Sequence, residues 1–399
     1  MRMQELQSAQ RQLIEFVDQF APLLGRAERG HWCGMYVSGL LLDGDRKSIE
    51  PMAGRLPGGN EQALQQFVNQ SPWAHTLVFD KLTEVLLGRL NPDPGVLVLD
   101  DTALPKKGRH SVGVARQYCG ALGKVANCQS VVSWHFSCKQ AHFPVNAELY
   151  LPREWTDDVP RMEKAGVPVE RRQFVEKWRL ALLLLDRIKE KIAHEVLVFD
   201  AGYGEIRPFL AELDKRKEYF IGQIPESHGF WPADVRTVET AGTFGRPRRY
   251  PVVADRNAKP LSAGRWSEFL LQNKRSWETI ELPLRKKKTV QAMAIRVREV
   301  TAQAYYRPGP ERWLIMEKLS DGQMKYYVSN LPESASLQQL LDWAHQRWTV
   351  EQGYQQLKEE LGLDHFEGRS WRGLHHHMVL CFMAYGFLTL VKHQRKKKP

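Results

Sequence analysis

Two short apolar runs, each followed by aspartate, stand at the centre of the sequence. The first reads Val-Leu-Val-Leu-Asp-Asp-Thr over residues 96–102, and the second reads Val-Leu-Val-Phe-Asp over residues 196–200. Continuous apolar runs of this length are typical of strands that are buried on both faces. We therefore expect two buried strands that end at Asp100 and Asp200 and bring both carboxylates to one edge of a sheet.

The sequence around these runs predicts an alternation of strands and helices. Gly202 and Gly204 favour a turn directly after the second run. This order of elements fits an α/β fold, namely a ribonuclease H-like catalytic domain with a mixed sheet. The predicted elements are strands at 96–100, 128–138 and 143–151, a helix at 171–193, a strand at 196–200, a helix at 206–217 and a strand at 219–221.

The flanking regions have different patterns. Residues 1–90 carry apolar side chains at helical spacing, and Asn60 is a suitable N-cap for one of these helices. One further helix is expected over 337–361, ended by Gly362. Another is expected over 374–391, where interruptions in the apolar run favour a core helix. We predict four parts: an N-terminal helical domain at 1–92, the first part of the catalytic domain at 93–223, a β-rich insertion domain at 224–335, and a C-terminal helical part of the catalytic domain with a basic tail at 336–399.

Positive charge is abundant and clustered in this chain. It contains 57 Lys+Arg against 46 Asp+Glu, a net charge of +11. Residues 236–298 contain 15 basic and 5 acidic side chains, and residues 102–147 contain six basic and no acidic ones. Such clusters favour the binding of nucleic acid, because each neutralised phosphate releases counterions. A solvated basic surface is the alternative interpretation of any single cluster.

Several classes of protein are not expected. The sequence has no run of about 18 apolar residues, so we predict no membrane-spanning helix. Its first residues contain no apolar signal region, which favours a cytoplasmic protein. The five cysteines form no Cys-x-x-Cys pair, which argues against a zinc or disulfide framework. The three consecutive histidines at 375–377 would point to different faces of a helix, so they are not expected to share one ion.

The paired carboxylates suggest metal-dependent chemistry. Two or three carboxylates at one sheet edge can hold paired divalent metals, which activate water for phosphodiester hydrolysis. Mg²⁺ prefers carboxylates and waters, so no histidine or cysteine is required. On the helix predicted over 337–361, Arg347, Glu351 and Lys358 share one face and could complete the site. The alternatives are an aspartate that caps a loop or helix, and a solvated Arg347–Glu351 ion pair.

Three blocks of the sequence resemble bacterial insertion-sequence transposases. They read LVLDDTALPKKGRHSVGVARQYCGALGKVANCQ at 97–129, VFDAGYG at 198–204 and RWTVEQGYQQLKEELGLDHFEGRSWRGLHHH at 347–377. The chain is similar to the insertion sequence 701 family, within the group related to insertion sequence 4, from about residue 20 to 390. The resemblance implies an Asp-Asp-Glu catalytic and metal-binding triad of Asp100, Asp200 and Glu351, with Asp101 as the alternative to Asp100.

Two details of the family pattern bear on these residues. The usual Asp-x-Thr pattern is met by Asp100 and Thr102, and Asp100 is also expected to end its strand. Both points favour Asp100 over its neighbour. The Tyr-x2-Arg-x3-Glu-x6-Lys signature is met at the Arg, Glu and Lys positions, whereas its Tyr position is Ala344. The resemblance and the charge clusters together imply contacts to DNA phosphates by Lys106, Lys107, Arg109, Arg347, Lys358, Arg248, Arg249, Lys286, Lys287 and Lys288.

The resemblance also implies an activity and partners. We expect a DNA transposase that cleaves insertion-sequence ends and transfers the strands into target DNA, with two Mg²⁺ ions per site and Mn²⁺ able to replace them. The expected partners are double-stranded DNA, as terminal inverted repeats and target, and further copies of the chain in a homodimer or larger assembly at the bacterial nucleoid. The alternatives are a metal-dependent nuclease that does not join strands, and a non-catalytic DNA-binding regulator derived from a transposase.

Overall fold

The computed structural model describes residues 3–238, 252–255, 257–273, 277–282, 288–301 and 307–397. The chain divides into two compact units. The first contains Met1–Ala193 together with Trp348–Pro399, and the second contains His194–Arg347. The division of the chain into four predicted parts stays a prediction.

Helices fill the beginning of the first unit, as the apolar spacing predicts. Asn60 caps one of them, because its side chain accepts a hydrogen bond from the Ala63 backbone N–H at 3.0 Å. Asn91 has φ of 43°, a left-handed conformation that ends the last helix of the group. The helices are α1 (Met3–Asp18), α2 (Ala21–Leu24), α3 (Ala27–Leu41), α4 (Ile49–Arg55), α5 (Glu61–Asn69) and α6 (His75–Leu90).

Four antiparallel strands and three helices follow in the first unit. The long strand β3 pairs with each of the other three strands. The prediction that the first strand ends at Asp100 was wrong. The ladder between β1 and β3 continues to Pro105, opposite Cys128, so Asp100 lies within the strand. The elements are β1 (Gly95–Pro105), β2 (Ala115–Cys119), β3 (Lys124–Ser137), β4 (His142–Tyr150), α7 (Arg153–Thr156), α8 (Val159–Lys164) and α9 (Lys177–Ile188).

The second unit contains a mixed sheet. Its strands β5 and β6 are parallel, and the other pairs along the sheet are antiparallel. The mixed α/β fold is therefore confirmed. The elements are β5 (His194–Phe199), α10 (Ala201–Gly204), α11 (Arg207–Lys215), β6 (Phe220–Ile224), β7 (Gly229–Pro232), β8 (Thr237–Val238), β9 (Val252–Val253), β10 (Leu261–Ser262), α12 (Ala263–Gln272), β11 (Glu278–Leu282), β12 (Lys288–Val300), β13 (Pro308–Lys318), β14 (Met324–Ser329) and α13 (Leu337–Ala344).

The β-rich region predicted after residue 224 continues the sheet that holds the second apolar run. The strand order is β10-β7-β12-β13-β14-β6-β5, and β11 pairs with β12. The final strand of the region, β14, pairs directly with β6 from Tyr326 opposite Ile224 to Ser329 opposite Ile221. The strands β7 and β10 to β14 are thus parts of the same hydrogen-bonded sheet as β5, whereas β8 and β9 pair with each other in a separate two-stranded sheet.

The helix expected over 337–361 is interrupted. It consists of α13, which ends at Ala344, and α14 (Arg347–Glu359). The break coincides with buried His345, whose Nε2 lies 3.0 Å from Oε1 of buried Glu317. Because Glu317 is 28 residues earlier in the chain, the contact between His345 and Glu317 could not be predicted from the local helical pattern. Gly362, with φ of +66°, follows α14 as predicted.

The last helix, α15 (Trp371–Lys397), forms the centre of the first unit. It packs against α3, α5, α6 and β4. By length and composition alone its residues Trp371–Lys396 could cross a membrane, but 83% of the most apolar window is buried inside the protein. This helix is therefore a core helix, as its interrupted apolar pattern predicts.

Candidate functional site

Asp100 and Asp101 lie on opposite faces of β1. Along the ladder with β3, Asp100 is opposite Ser133 and Asp101 is opposite Val132. The Asp101 carboxylate accepts a hydrogen bond from the Lys177 ammonium on α9. Since successive residues of a strand point to opposite sides, Asp100 belongs to the face of the sheet turned away from this ion pair.

That other face carries helix α14. Residues opposite each other in an antiparallel ladder share a face, and the Ser133 hydroxyl is hydrogen-bonded to the Tyr354 hydroxyl of α14. Further along β3, the Ser137 Oγ accepts a hydrogen bond from Thr349 Oγ1 of α14 at 3.2 Å. Asp100 therefore lies on the face that packs against the helix bearing Glu351.

The Tyr354 hydroxyl lies in a buried environment close to Asp100. It is buried, and burial together with the neighbouring Asp100 and Asp101 carboxylates raises its pKa well above the usual range. Ser133 Oγ also lies 2.9 Å from His135 Nε2, so the three side chains form a buried chain of hydrogen bonds. Burial lowers the pKa of His135 to about 3, which keeps the ring neutral. This chain links β3 to α14 beside Asp100.

This hydrogen-bonded chain was not predicted from the sequence. A signal was present, because Ser133, His135 and Ser137 alternate with apolar residues and therefore mark one face of a strand. The partner Tyr354 could not be identified in this way, since it is 221 residues away in the chain.

Glu351 lies on α14, one turn before Tyr354, and is exposed to solvent. Arg347 begins the same helix and is half-buried. The Lys358 ammonium donates to the Ala103 carbonyl of β1 at 3.0 Å, and burial lowers its pKa. Lys358 therefore ties α14 to the part of β1 just beyond Asp100.

Asp200 lies in the second unit, directly after β5. Its Oδ1 accepts a hydrogen bond from the Tyr203 backbone N–H at 3.3 Å and so caps the short helix α10. Gly202 leaves little room beside this carboxylate, because an added Cβ would lie 3.3 Å from Oδ1. The capping role that the sequence left open is thus present, and it orients the carboxylate.

The basic residues after β1 fall into two groups. Lys106 is largely buried and donates to the Phe366 carbonyl at 2.6 Å, and burial lowers its pKa to about 8. Lys107 and Arg109 are exposed. Lys106 and Lys107 line a cavity of about 630 Å³ together with Arg46 and Arg369.

The remaining predicted phosphate contacts fall in or beside the least described part of the chain. Lys288 begins β12, but its side chain is not among the described atoms. The predicted contacts Arg248, Arg249, Lys286 and Lys287 lie outside the described residues.

Comparison with known proteins shows to which family the chain belongs. Residues 19–298 match the model of a family described as DDE superfamily endonuclease. The chain belongs to the DDE superfamily of endonucleases. The matched segment includes Asp100 and Asp200 and ends before Glu351.

This DDE enzyme is also similar to a protein from Microchaete diplosiphon described as a probable transposase for insertion sequence element IS701. The two are 29% identical over 196 residues, which is 48% of this chain and 47% of the relative. The chain thus spans about half the length of that curated relative. The family match and this similarity confirm the resemblance to DDE-type transposases of the insertion sequence 701 family.

Enzymes of the DDE superfamily generally use divalent metals, and the residues of this DDE enzyme fit such ions. Asp100, Asp200 and Glu351 offer carboxylate oxygens, which are the ligands that Mg²⁺ prefers. Asp100 places a carboxylate on the face of β1 that packs against α14. A cation would be attracted to this face, whereas Asp101 is already paired with Lys177.

Proposed function

We propose that this protein is a DNA transposase that cleaves the ends of an insertion sequence and joins the freed strands to target DNA. The observation that carries the proposal is the placement of Asp100 on the α14 face, within a chain that belongs to the DDE endonucleases. The similarity to the probable IS701 transposase supports transposition rather than another nuclease activity.

We assign the metal ligands to Asp100, Asp200 and Glu351. Two bound Mg²⁺ ions, or Mn²⁺ in their place, would lower the pKa of a nucleophilic water and stabilise charge on the leaving oxygen. The protein orients the ligands: Tyr203 and α10 hold Asp200, and the Ser133–Tyr354 hydrogen bond holds α14 against β3 beside Asp100. In this scheme Asp101 is a structural partner of Lys177.

The DNA would contact basic side chains near these carboxylates. Lys107 and Arg109 are exposed after β1 and are suited to phosphate binding, whereas Lys106 holds the backbone of residue 366. We propose that Arg347, which precedes Glu351 by one helical turn, binds the phosphate groups near the cleavage site. The proposed partners are terminal inverted repeats, target DNA and at least one more copy of the chain, in the cytoplasm of a bacterium.

The experiment uses full-length protein with Mg²⁺ or Mn²⁺ and two DNA substrates. One is intact DNA that flanks the coding sequence, and the other is a pre-cleaved duplex of the same sequence with a 3′-hydroxyl end. We expect metal-dependent cleavage of the first and joining of the second to a plasmid. Both activities should be lost in Asp200→Asn, and Asp101→Asn serves as the matched control on β1.

The outcomes separate the candidate functions. Cleavage without joining would contradict the transposase and support a metal-dependent nuclease. DNA binding without either activity, in the presence of both metals, would support a non-catalytic DNA-binding regulator.

A further inference from the structure

A second cluster of potential metal ligands lies in the first unit and contains no triad residue. It consists of His75 at the start of α6, Glu148 on β4 and His375 on α15. One ligand atom from each residue lies within 4.8 Å of the others. Glu148 and His375 are buried, and His75 is partly exposed.

Both ring nitrogens of His375 have partners. Its Nδ1 lies 2.9 Å from the Trp371 carbonyl oxygen, to which it can donate. Its Nε2 lies 2.9 Å from Glu148 Oε1 and 3.4 Å from the Leu149 backbone nitrogen. Metal-binding histidines in proteins usually donate from one ring nitrogen to a backbone carbonyl and bind the ion through the other, and the contacts of His375 allow this arrangement.

Glu148 presents a buried carboxylate to this nitrogen. Its Oε1 lies 2.9 Å from His375 Nε2, the distance of a hydrogen bond from an imidazole N–H. A metal ion would take the place of that hydrogen and bind both atoms. Arg187 forms a longer ion pair with the other oxygen of Glu148, at 3.7 Å from Nη1, and its side chain is half exposed.

The hydrogen bond involves His375 and Glu148 alone, whereas the cluster has a third member. The His75 ring lies edge-on to Phe79, and its centre is 4.6 Å from that of the His375 ring. One of its nitrogens is within 4.8 Å of the ligand atoms of both Glu148 and His375. A divalent ion would use all three side chains.

We propose that His75, Glu148 and His375 bind one Zn²⁺ ion, separate from the ions of the catalytic triad. Two imidazole nitrogens and one carboxylate oxygen form a donor set that suits Zn²⁺ rather than Mg²⁺. The partly exposed side of His75 leaves room for a water as the fourth ligand. Since the three ligands come from α6, β4 and α15, the ion would fasten the N-terminal helices to the sheet and to the core helix.

The test measures metal content and thermal stability of the full-length protein, so it does not depend on transposition. The protein is stripped with a chelator, dialysed and titrated with Zn²⁺ alone by calorimetry. We expect one tight site per chain. A Zn²⁺ concentration about 100-fold above Kd should raise Tm by about 5 °C.

The variants separate this site from the catalytic one. His75→Ala removes a partly exposed ligand, and Glu148→Gln keeps the shape but loses the charge. Each should weaken Zn²⁺ binding more than about tenfold. His31→Ala, which removes an exposed histidine of α3, is the matched control and should bind normally. Asp100→Asn and Asp200→Asn should also retain the tight site.

Three results would overturn the proposal. These are the absence of a one-to-one Zn²⁺ site in the folded wild-type protein, unchanged affinity in His75→Ala, or loss of the site in the triad variants. Because the wild-type titration needs no mutation, a variant that fails to fold does not remove the test. Failure of this proposal would leave the assignment of the catalytic triad unaffected.

Discussion

The two Val-Leu-Val-x-Asp runs are almost identical in sequence but differ in structure beyond the fourth residue. After Leu99 the chain remains in β1 as far as Pro105, because β3 supplies hydrogen-bonding partners along that whole length. After Phe199 it leaves the sheet at once, and Asp200 caps α10. The comparison teaches that a buried run predicts a strand, whereas the end of that strand depends on what lies beside it.

The difference has a consequence for the two carboxylates. Asp200 is oriented locally, by the backbone N–H of Tyr203 three residues later. Asp100 is oriented by the alternation of a continuous strand, which directs its neighbour Asp101 to Lys177 on the opposite face. Substitutions should therefore have different effects on the two runs.

The largest effect is expected from the carboxylates assigned to the metals. Asp100→Asn and Asp200→Asn should each lower the rate of DNA cleavage by at least about 100-fold, since each replaces a charged metal ligand with a neutral side chain of similar size. Binding to a short duplex, measured by fluorescence anisotropy, should remain within about threefold because phosphate contacts dominate affinity. Asp101→Asn should cleave DNA at a rate within about tenfold of the wild-type rate. A loss as large as that of Asp100→Asn would contradict the assignment of Asp100, and not Asp101, as the metal ligand.

The next effect concerns the core of the second run. Phe199 is buried against Phe209 and Phe220, with ring centres 5.1 and 5.8 Å away. Phe199→Ala should reduce the free energy of unfolding by about 3–5 kcal/mol, because it removes apolar contacts and leaves a cavity. Urea unfolding followed by circular dichroism measures this change. A loss below about 1 kcal/mol would show that the second run is not packed as described.

A smaller effect is expected from the hydrogen bond between β3 and α14. Tyr354→Phe leaves the ring in place but removes the hydroxyl that pairs with Ser133. The free energy of unfolding should fall by about 1–2 kcal/mol, because the buried Ser133 loses a partner. If Ser133→Ala and the double variant show no coupling with Tyr354→Phe in a double-mutant cycle, the two hydroxyl groups do not interact.

The smallest effect is expected from the ion pair between Lys177 and Asp101. The Lys177 ammonium is about one-third exposed, so solvent screens its attraction to the carboxylate. Lys177→Met should change the free energy of unfolding by no more than about 1 kcal/mol. Thermal unfolding at low and at high salt measures this change in the free energy of unfolding. A large decrease in DNA cleavage for this variant would mean that the Asp101 face takes part in catalysis.

The sequence could predict those features whose causes are local. The two apolar runs, the Asn60 cap and the turn at Gly362 each depend on residues within a few positions. The preference for Asp100 over Asp101 came from the family's Asp-x-Thr pattern and from the expectation that Asp100 ends the strand. The second ground was wrong, since β1 continues to Pro105, but the ladder with β3 places Asp101 on the opposite face from Asp100.

Features with distant partners could not be predicted in the same way. The extension of β1 requires β3, and the break between α13 and α14 involves the pairing of His345 with Glu317. The likewise distant contact of Tyr354 with Ser133 depends on how α14 packs on the sheet. In each case one sequence window contains only half of the interaction.

The most direct test of the central claim is anomalous diffraction from crystals of the protein with Mn²⁺ and DNA ends. The account predicts two Mn²⁺ peaks about 3.5–4 Å apart, ligated by Asp100, Asp200 and Glu351, with Asp101 still paired to Lys177. Peaks ligated by Asp101 in place of Asp100, or Mn²⁺ bound without Glu351, would contradict it.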